Sequence, residues 1–282
     1  MMRNKKTTWI IALLIVCLAF VAVGIYLNMN PYEERVYEPV SSVSVVEEEE
    51  EVIDLGPDQA AFYKQINDDN EAVNSDYIGT LFFDSNLINQ PVVQGYSNSE
   101  YVRTDCRTLA YDDAGSNFMD FECTPESENT VIYGHYVYPS YDASGTMRFT
   151  PLTSLLHAEN YEANRTVYLL LENEIREYVV CSVYYADLQN IDGVYYSRVN
   201  EQYNLPDYTP EYFTEYHNTV KAKQLYETGE DFTYEDKLLT LQTCVENRSD
   251  QREIVVCRQV NTYPITDRCD FPIRDMTSSE KV

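Results

Sequence analysis

The sequence predicts a mainly β fold, a barrel or a sandwich. Three observations carry this. Short segments of strand character follow one another from residue 77 onward. Turn-forming pairs such as Asn98-Ser99, Asp112-Asp113 and Asp192-Gly193 separate them. Tyr is abundant, at 26 residues in 282, which suits strands with one wet edge.

Residues 9–27 form an uncharged apolar run of 19 residues, long enough to cross a bilayer core of about 30 Å as a helix. Arg3, Lys5 and Lys6 precede it within residues 1–8, and the acidic body follows. The positive-inside rule then puts the N-terminus in the cytoplasm and the body outside the cell. A cleaved signal peptide is the rival reading. The run exceeds a typical h-region, and no Ala-x-Ala site follows it, which favours an uncleaved signal-anchor. Residues 28–58 hold Pro31, Pro39, several Ser and the run of Glu at 47–51, so they read as an acidic flexible stalk.

Residues 59–282 read as one compact domain. Asp58 is placed to cap a helix over 58–70 whose face shows Phe62 and Ile66, with Tyr63 beside them. Strands are expected at 77–83, 90–94, 117–121, 130–133, 166–171 and 177–185. A helix follows, with Thr209 as its cap, Pro210 at its first position, and Phe213, Tyr216 and Val220 on one face. Strands at 237–244 and 253–260 complete the series.

The net charge is −27. It excludes a duplex nucleic-acid binder, which needs a basic face against phosphates, and disfavours adsorption to an anionic membrane through basic patches. The seven cysteines include no Cys-x-x-Cys pair, and with three scattered histidines they complete no zinc pattern. Cys106 and Cys123 are a candidate disulfide pair, though spacing leaves connectivity open.

Two positions stand out chemically. His135 ends the apolar strand Val131-Ile132-Tyr133 directly after Gly134, a place that suits a catalytic group and equally a structural histidine. His157 and His217 read as turn and surface residues. Cys244 closes the strand from 238, seven loop residues follow, and Arg252 opens the next strand. If the two strands are antiparallel neighbours, Arg252 lies beside Cys244. There a cation favours thiolate over thiol and can bind a developing oxyanion. A solvated strand-end charge is the bland alternative, and Arg248 is the rival cation.

These residues carry a family resemblance. Thr240-Leu241-Gln242-Thr243-Cys244 matches the Thr-Leu-x-Thr-Cys signature of sortases, and Arg252 follows at the spacing those enzymes use. Val131-Ile132-Tyr133-Gly134-His135 resembles the segment that ends in their catalytic histidine, and Gly145-Thr146-Met147-Arg148-Phe149 resembles its continuation. The N-terminal helix and the long helix-containing insert before the cysteine strand look like class B.

The resemblance implies an eight-stranded sortase β-barrel and cysteine transpeptidation, with Cys244, His135 and Arg252 as catalytic residues. It implies surface proteins with a C-terminal sorting signal as substrates, and an amine of a peptidoglycan precursor or a pilin lysine as acceptor. No cofactor or metal is expected, and the one membrane link is the N-terminal helix. Two other classes compete. A papain-like peptidase would place its cysteine at a helix start and its histidine later in the chain. A non-catalytic tethered binding module would leave Cys244 inert to thiol reagents.

Overall fold

The computed structural model describes residues 57–191, 194–199, 205–246 and 248–280. The expected membrane run, and all but the last two residues of the expected stalk, lie outside them. Among the described residues no helix is long and apolar enough to cross a membrane.

Helix α1 (Pro57–Val73) leads into β1 (Tyr77–Phe83), β2 (Asn89–Val93), β3 (Asn117–Met119), β4 (Asn129–Tyr133), β5 (Thr166–Leu170), β6 (Glu174–Ile191) and β7 (Val194–Val199). Helix α2 (Pro210–Lys223) then precedes β8 (Leu238–Val245) and β9 (Arg248–Pro264). The hydrogen-bonded order is β5-β1-β2-β3-β4-β8-β9-β6-β7, and β5 also pairs with β6. That last pairing closes an eight-stranded barrel and leaves β7 as a hairpin extension of β6. Closure removes the free strand edges that an open sheet would present. Most neighbours are antiparallel, but β2 with β3 and β4 with β8 are parallel.

Period-2 alternation sorts each strand between two environments. Leu239, Leu241, Val255 and Cys257 point into the barrel with Leu81, Val131 and Leu169. Their strand neighbours Leu238, Ile254 and Val256 point outward, where Phe213, Tyr216 and Val220 of α2 cover them. Each fully buried side chain of this size contributes about 1.5–3 kcal/mol relative to exposure. The Thr209 hydroxyl accepts from the Tyr212 N–H at the start of α2, and Lys221 and Lys223 close its last turn, both in favourable places on the helix dipole.

Several expectations need correction. Helix α1 starts at Pro57, one residue before the expected Asp58 cap; Phe62 and Ile66 pack partly buried on the core as expected, while Tyr63 beside them is fully buried. Tyr63 inserts between Phe62 and Phe271, which only tertiary packing can dictate. The Cys244–Arg252 connection is tighter than seven residues, because β8 runs on to Val245 and β9 already starts at Arg248. The candidate pair Cys106 and Cys123 remains two free thiols. Cys106 packs with Tyr101 and Phe118, whereas Cys123 sits in the barrel core, where its sulfur accepts from the Val131 N–H.

Candidate active site

Register places the site. Parallel strands β4 and β8 pair Tyr133 with Gln242, and the ladder is prolonged by the Gly134 N–H donating to the Gln242 carbonyl at 3.1 Å. Two residues further along each chain come His135 and Cys244, level at one end of the barrel. On the other side of β8, antiparallel β9 pairs Cys244 directly with Arg252. A bulge after Cys244 ends the regular ladder there. The sequence thus delivers an imidazole, a thiol and a guanidinium from three adjacent strands to one place.

Gly134 makes the turn into His135 feasible. A Cβ at this position would meet Asn117 Oδ1 at 2.4 Å and Phe149 Cγ at 2.5 Å. The Phe149 N–H donates to the His135 carbonyl at 3.0 Å and fixes the backbone from the far side. The imidazole itself is anchored by Nε2, 2.8 Å from the Val102 carbonyl. A carbonyl only accepts, so Nε2 carries the proton. Burial holds the His135 pKa below its ordinary value, and the charges of Arg103, Arg148 and Arg252 push the same way. The Val102 carbonyl acts against them.

His135, Cys244 and Arg252 line one cleft of about 200 Å³, together with Asn98, Val102 and Tyr133. Cys244 is half-buried, whereas Cys106, Cys123, Cys181, Cys257 and Cys269 are buried. The Arg252 Nη1 donates to the Gln251 carbonyl at 2.7 Å, which tethers the guanidinium at the strand end. The Arg248 side chain lies outside the described residues. A larger cavity of about 480 Å³, lined by Ile78, Met119 and Leu169 among others, contains none of the three residues.

The remaining histidines stand elsewhere. His157 is exposed between two short turns. His217 bonds Asp231 Oδ1 at 2.8 Å through Nε2 and stacks near Phe213. Sequence reasoning missed Val102 and Asn98. Val102 acts through its backbone carbonyl, which leaves no mark in a sequence.

A closed eight-stranded barrel with this cleft on β4, β8 and β9 is consistent with the sortase fold. The comparisons with known proteins agree. No family model matches the chain. Sortase B of Staphylococcus aureus (strain NCTC 8325 / PS 47) is 25% identical over 189 residues, 66% of this chain and 70% of that protein. Sortase B of Listeria monocytogenes is 27% identical over 178 residues, 62% of this chain and 65% of that one. The crystal structure of Clostridium perfringens sortase B superposes with a TM-score of 0.58 at 23% identity, covering 69% of this chain and 100% of that one. Sortase B relatives by sequence and a sortase B structure by fold support a sortase family, most like class B, and the sequence relatives indicate a cysteine transpeptidase.

Proposed function

We propose that the chain is a membrane-anchored enzyme that cleaves a C-terminal sorting signal after Thr and joins the upstream protein to an amine at the cell surface. The observation that carries this reading is the register that levels His135, Cys244 and Arg252 at one barrel end.

In this reading the Cys244 thiolate attacks the Thr carbonyl carbon, and the carbonyl electron pair moves onto oxygen. The Arg252 guanidinium stabilises that oxyanion with charge and N–H donors. As the tetrahedral species collapses, the peptide C–N bond breaks and protonated His135 gives its proton to the leaving amine. A thioester remains on Cys244. An incoming amine of a peptidoglycan precursor or a pilin lysine then attacks it. His135 takes the proton from the amine, and Cys244 leaves as thiolate. Burial and the neighbouring guanidinium charges lower the His135 pKa, which makes its imidazolium the stronger acid toward the leaving amine.

The apolar run at 9–27 is the proposed anchor. With Arg3, Lys5 and Lys6 held inside the cell, the barrel faces outward. The stretch 28–58 separates the barrel from the bilayer.

The test uses a peptide bearing a sorting signal. Cys244→Ala is expected to abolish the covalent acyl-enzyme seen by mass spectrometry; an unchanged adduct would refute the nucleophile. Arg252→Ala is expected to lower peptide-cleavage turnover by about 100-fold, in line with loss of an oxyanion donor. Arg248→Ala should cost much less. The reverse order would transfer the oxyanion role to Arg248.

A further inference from the structure

The segment 275–280 runs along the start of β2 and reaches the loop between His135 and Phe149. Ser279 exchanges two bonds with Asn89 at the start of β2: its N–H donates to the Asn89 carbonyl at 3.2 Å, and its Oγ accepts from the Asn89 N–H at 2.9 Å. The Asn89 side-chain amide donates to the Asp275 carbonyl at 3.1 Å. Beyond these ties comes Glu280, whose side chain is only 5% exposed.

Glu280 grips Arg148 twice. Its Oε1 accepts from the Arg148 guanidinium at 2.7 Å and from the Arg148 backbone N–H at 3.0 Å. Its Oε2 accepts from Arg107 at 2.9 Å. Arg148 is itself 3% exposed, and its guanidinium also meets Asp105 at 2.9 Å and Asp112 at 3.5 Å. Its backbone has φ +50°, a left-handed conformation that costs a non-glycine residue free energy and persists only when its surroundings fix it. Directly after it comes Phe149, whose N–H holds the His135 carbonyl and whose ring fills the space against Gly134.

We propose that Glu280 is a positioning residue for His135, with segment 275–280 as a strap that holds Arg148 in its left-handed conformation and so sets Phe149 and the imidazole. Its consequence for catalysis rests on the transpeptidase reading above. The grip on both the side chain and the main chain of one residue is what a positional role requires. A merely stabilising ion pair would not need the backbone bond.

The charges bearing on His135 are Arg103, Arg148 and Arg252. Arg103 is paired with Asp113, and Arg148 with Asp105, Asp112 and Glu280. The Cys106 thiol lies close to Arg148, and the Tyr141 hydroxyl donates to Asp112. Removing the Glu280 charge leaves Arg148 less neutralised, so an imidazolium at His135 becomes harder to form.

The experiment compares the full chain with its Glu280→Gln variant. The chain has three histidines, so ¹³C-histidine NMR follows them all, and His157→Gln and His217→Gln assign the His135 signal. The expected result is a His135 titration moved to lower pH, the matching limb of the cleavage profile moved with it, and kcat reduced roughly tenfold. A lower melting temperature with an unchanged His135 titration would overturn the proposal and leave Glu280 a stability residue only. If Glu280→Gln does not fold, Glu280→Asp keeps the charge and shortens the reach. A displaced His135 resonance in that variant supports the strap, and an unmoved one rejects it. A wild-type chain that cleaves no sorting-signal peptide would end the transpeptidase reading, while the His135 titration still decides the strap.

Discussion

Glu253 sits one residue beyond Arg252, facing the opposite way. It is fully buried, and neither carboxyl oxygen has a hydrogen-bond partner. Its cross-strand neighbours are Thr243 on β8, whose buried hydroxyl is also unpartnered, and Tyr185 on β6. Burial pushes its carboxyl up to about 8, from 4.5 for an ordinary glutamate. The sign of the consequence follows from linkage. Between these two values the folded chain keeps a proton that the unfolded chain has lost, so stability falls as pH rises through the window. It is fully present below the lower value and lost once pH passes the upper one. Glu253→Gln cannot ionise, so its melting temperature should exceed that of the wild type at pH 9 while the two lie closer at pH 5. Parallel decline of both curves with pH would show that Glu253 does not ionise on unfolding. Little in the sequence marks this residue, because a glutamate beside an arginine reads by default as surface charge.

At the scale of elements, the strand positions were largely written in the pattern of apolar residues. The expected strand over 77–83 is the one observed, and the expected strand over 130–133 lacks only Asn129. The pairing of Cys244 with Arg252 was also legible, since two strong strand signals joined by a short connection leave a hairpin as the simplest topology. The full lengths of β6 and β9 were hidden. On β9 the expected strand stops at residue 260, where the pairing steps from Gln259 opposite Tyr178 to Asn261 opposite Glu177; this bulge shifts the register and breaks the alternation on which strand reading depends. Strand β7 escaped because its short run sits behind the Asp192-Gly193 turn signal. The Val102 anchor and the Glu280 grip join residues far apart in sequence, one of them through a backbone atom, so only the folded chain reveals them. Gly134 is where local sequence and site geometry meet most directly. In Gly134→Ala the new methyl has to displace Phe149, whose ring is wholly buried, or Asn117, also buried. Overpacking of this kind costs about 1–3 kcal/mol. Because Phe149 also holds the His135 backbone, peptide cleavage should fall more steeply than stability. The check is a steady-state assay beside a chemical denaturation curve. Full activity in a destabilised variant would show that Phe149 packs against the strand without governing the histidine.

At the scale of the molecule, charge and thiols are distributed with opposite logic. Residues 59–282 hold 37 acids against 16 bases, so the acidic excess belongs to this part of the chain as well as to the stretch before it. Like charge of this size keeps the domain away from an anionic surface and leaves attachment to the proposed anchor. The thiols, in contrast, are hidden. Among the described residues five of six are buried, and burial pushes Cys123 up to about 12, Cys181 up to about 11 and Cys257 well above its ordinary value. A thiol reagent attacks thiolate that it can reach, so these five react only when the barrel opens. Cys244 is half-buried in the cleft. Treating the native chain with a methanethiosulfonate and mapping the adducts by mass spectrometry should therefore give one fast site within residues 57–280, at Cys244. The other five should label together at a rate that rises with denaturant in step with global unfolding. Because these six thiols are free, added reductant should leave the melting temperature of the barrel unchanged. Rapid labelling of Cys106 or Cys123 without denaturant would mean that the loops carrying them open independently of the barrel. A silent Cys244 would remove the accessible nucleophile on which the transpeptidase reading depends.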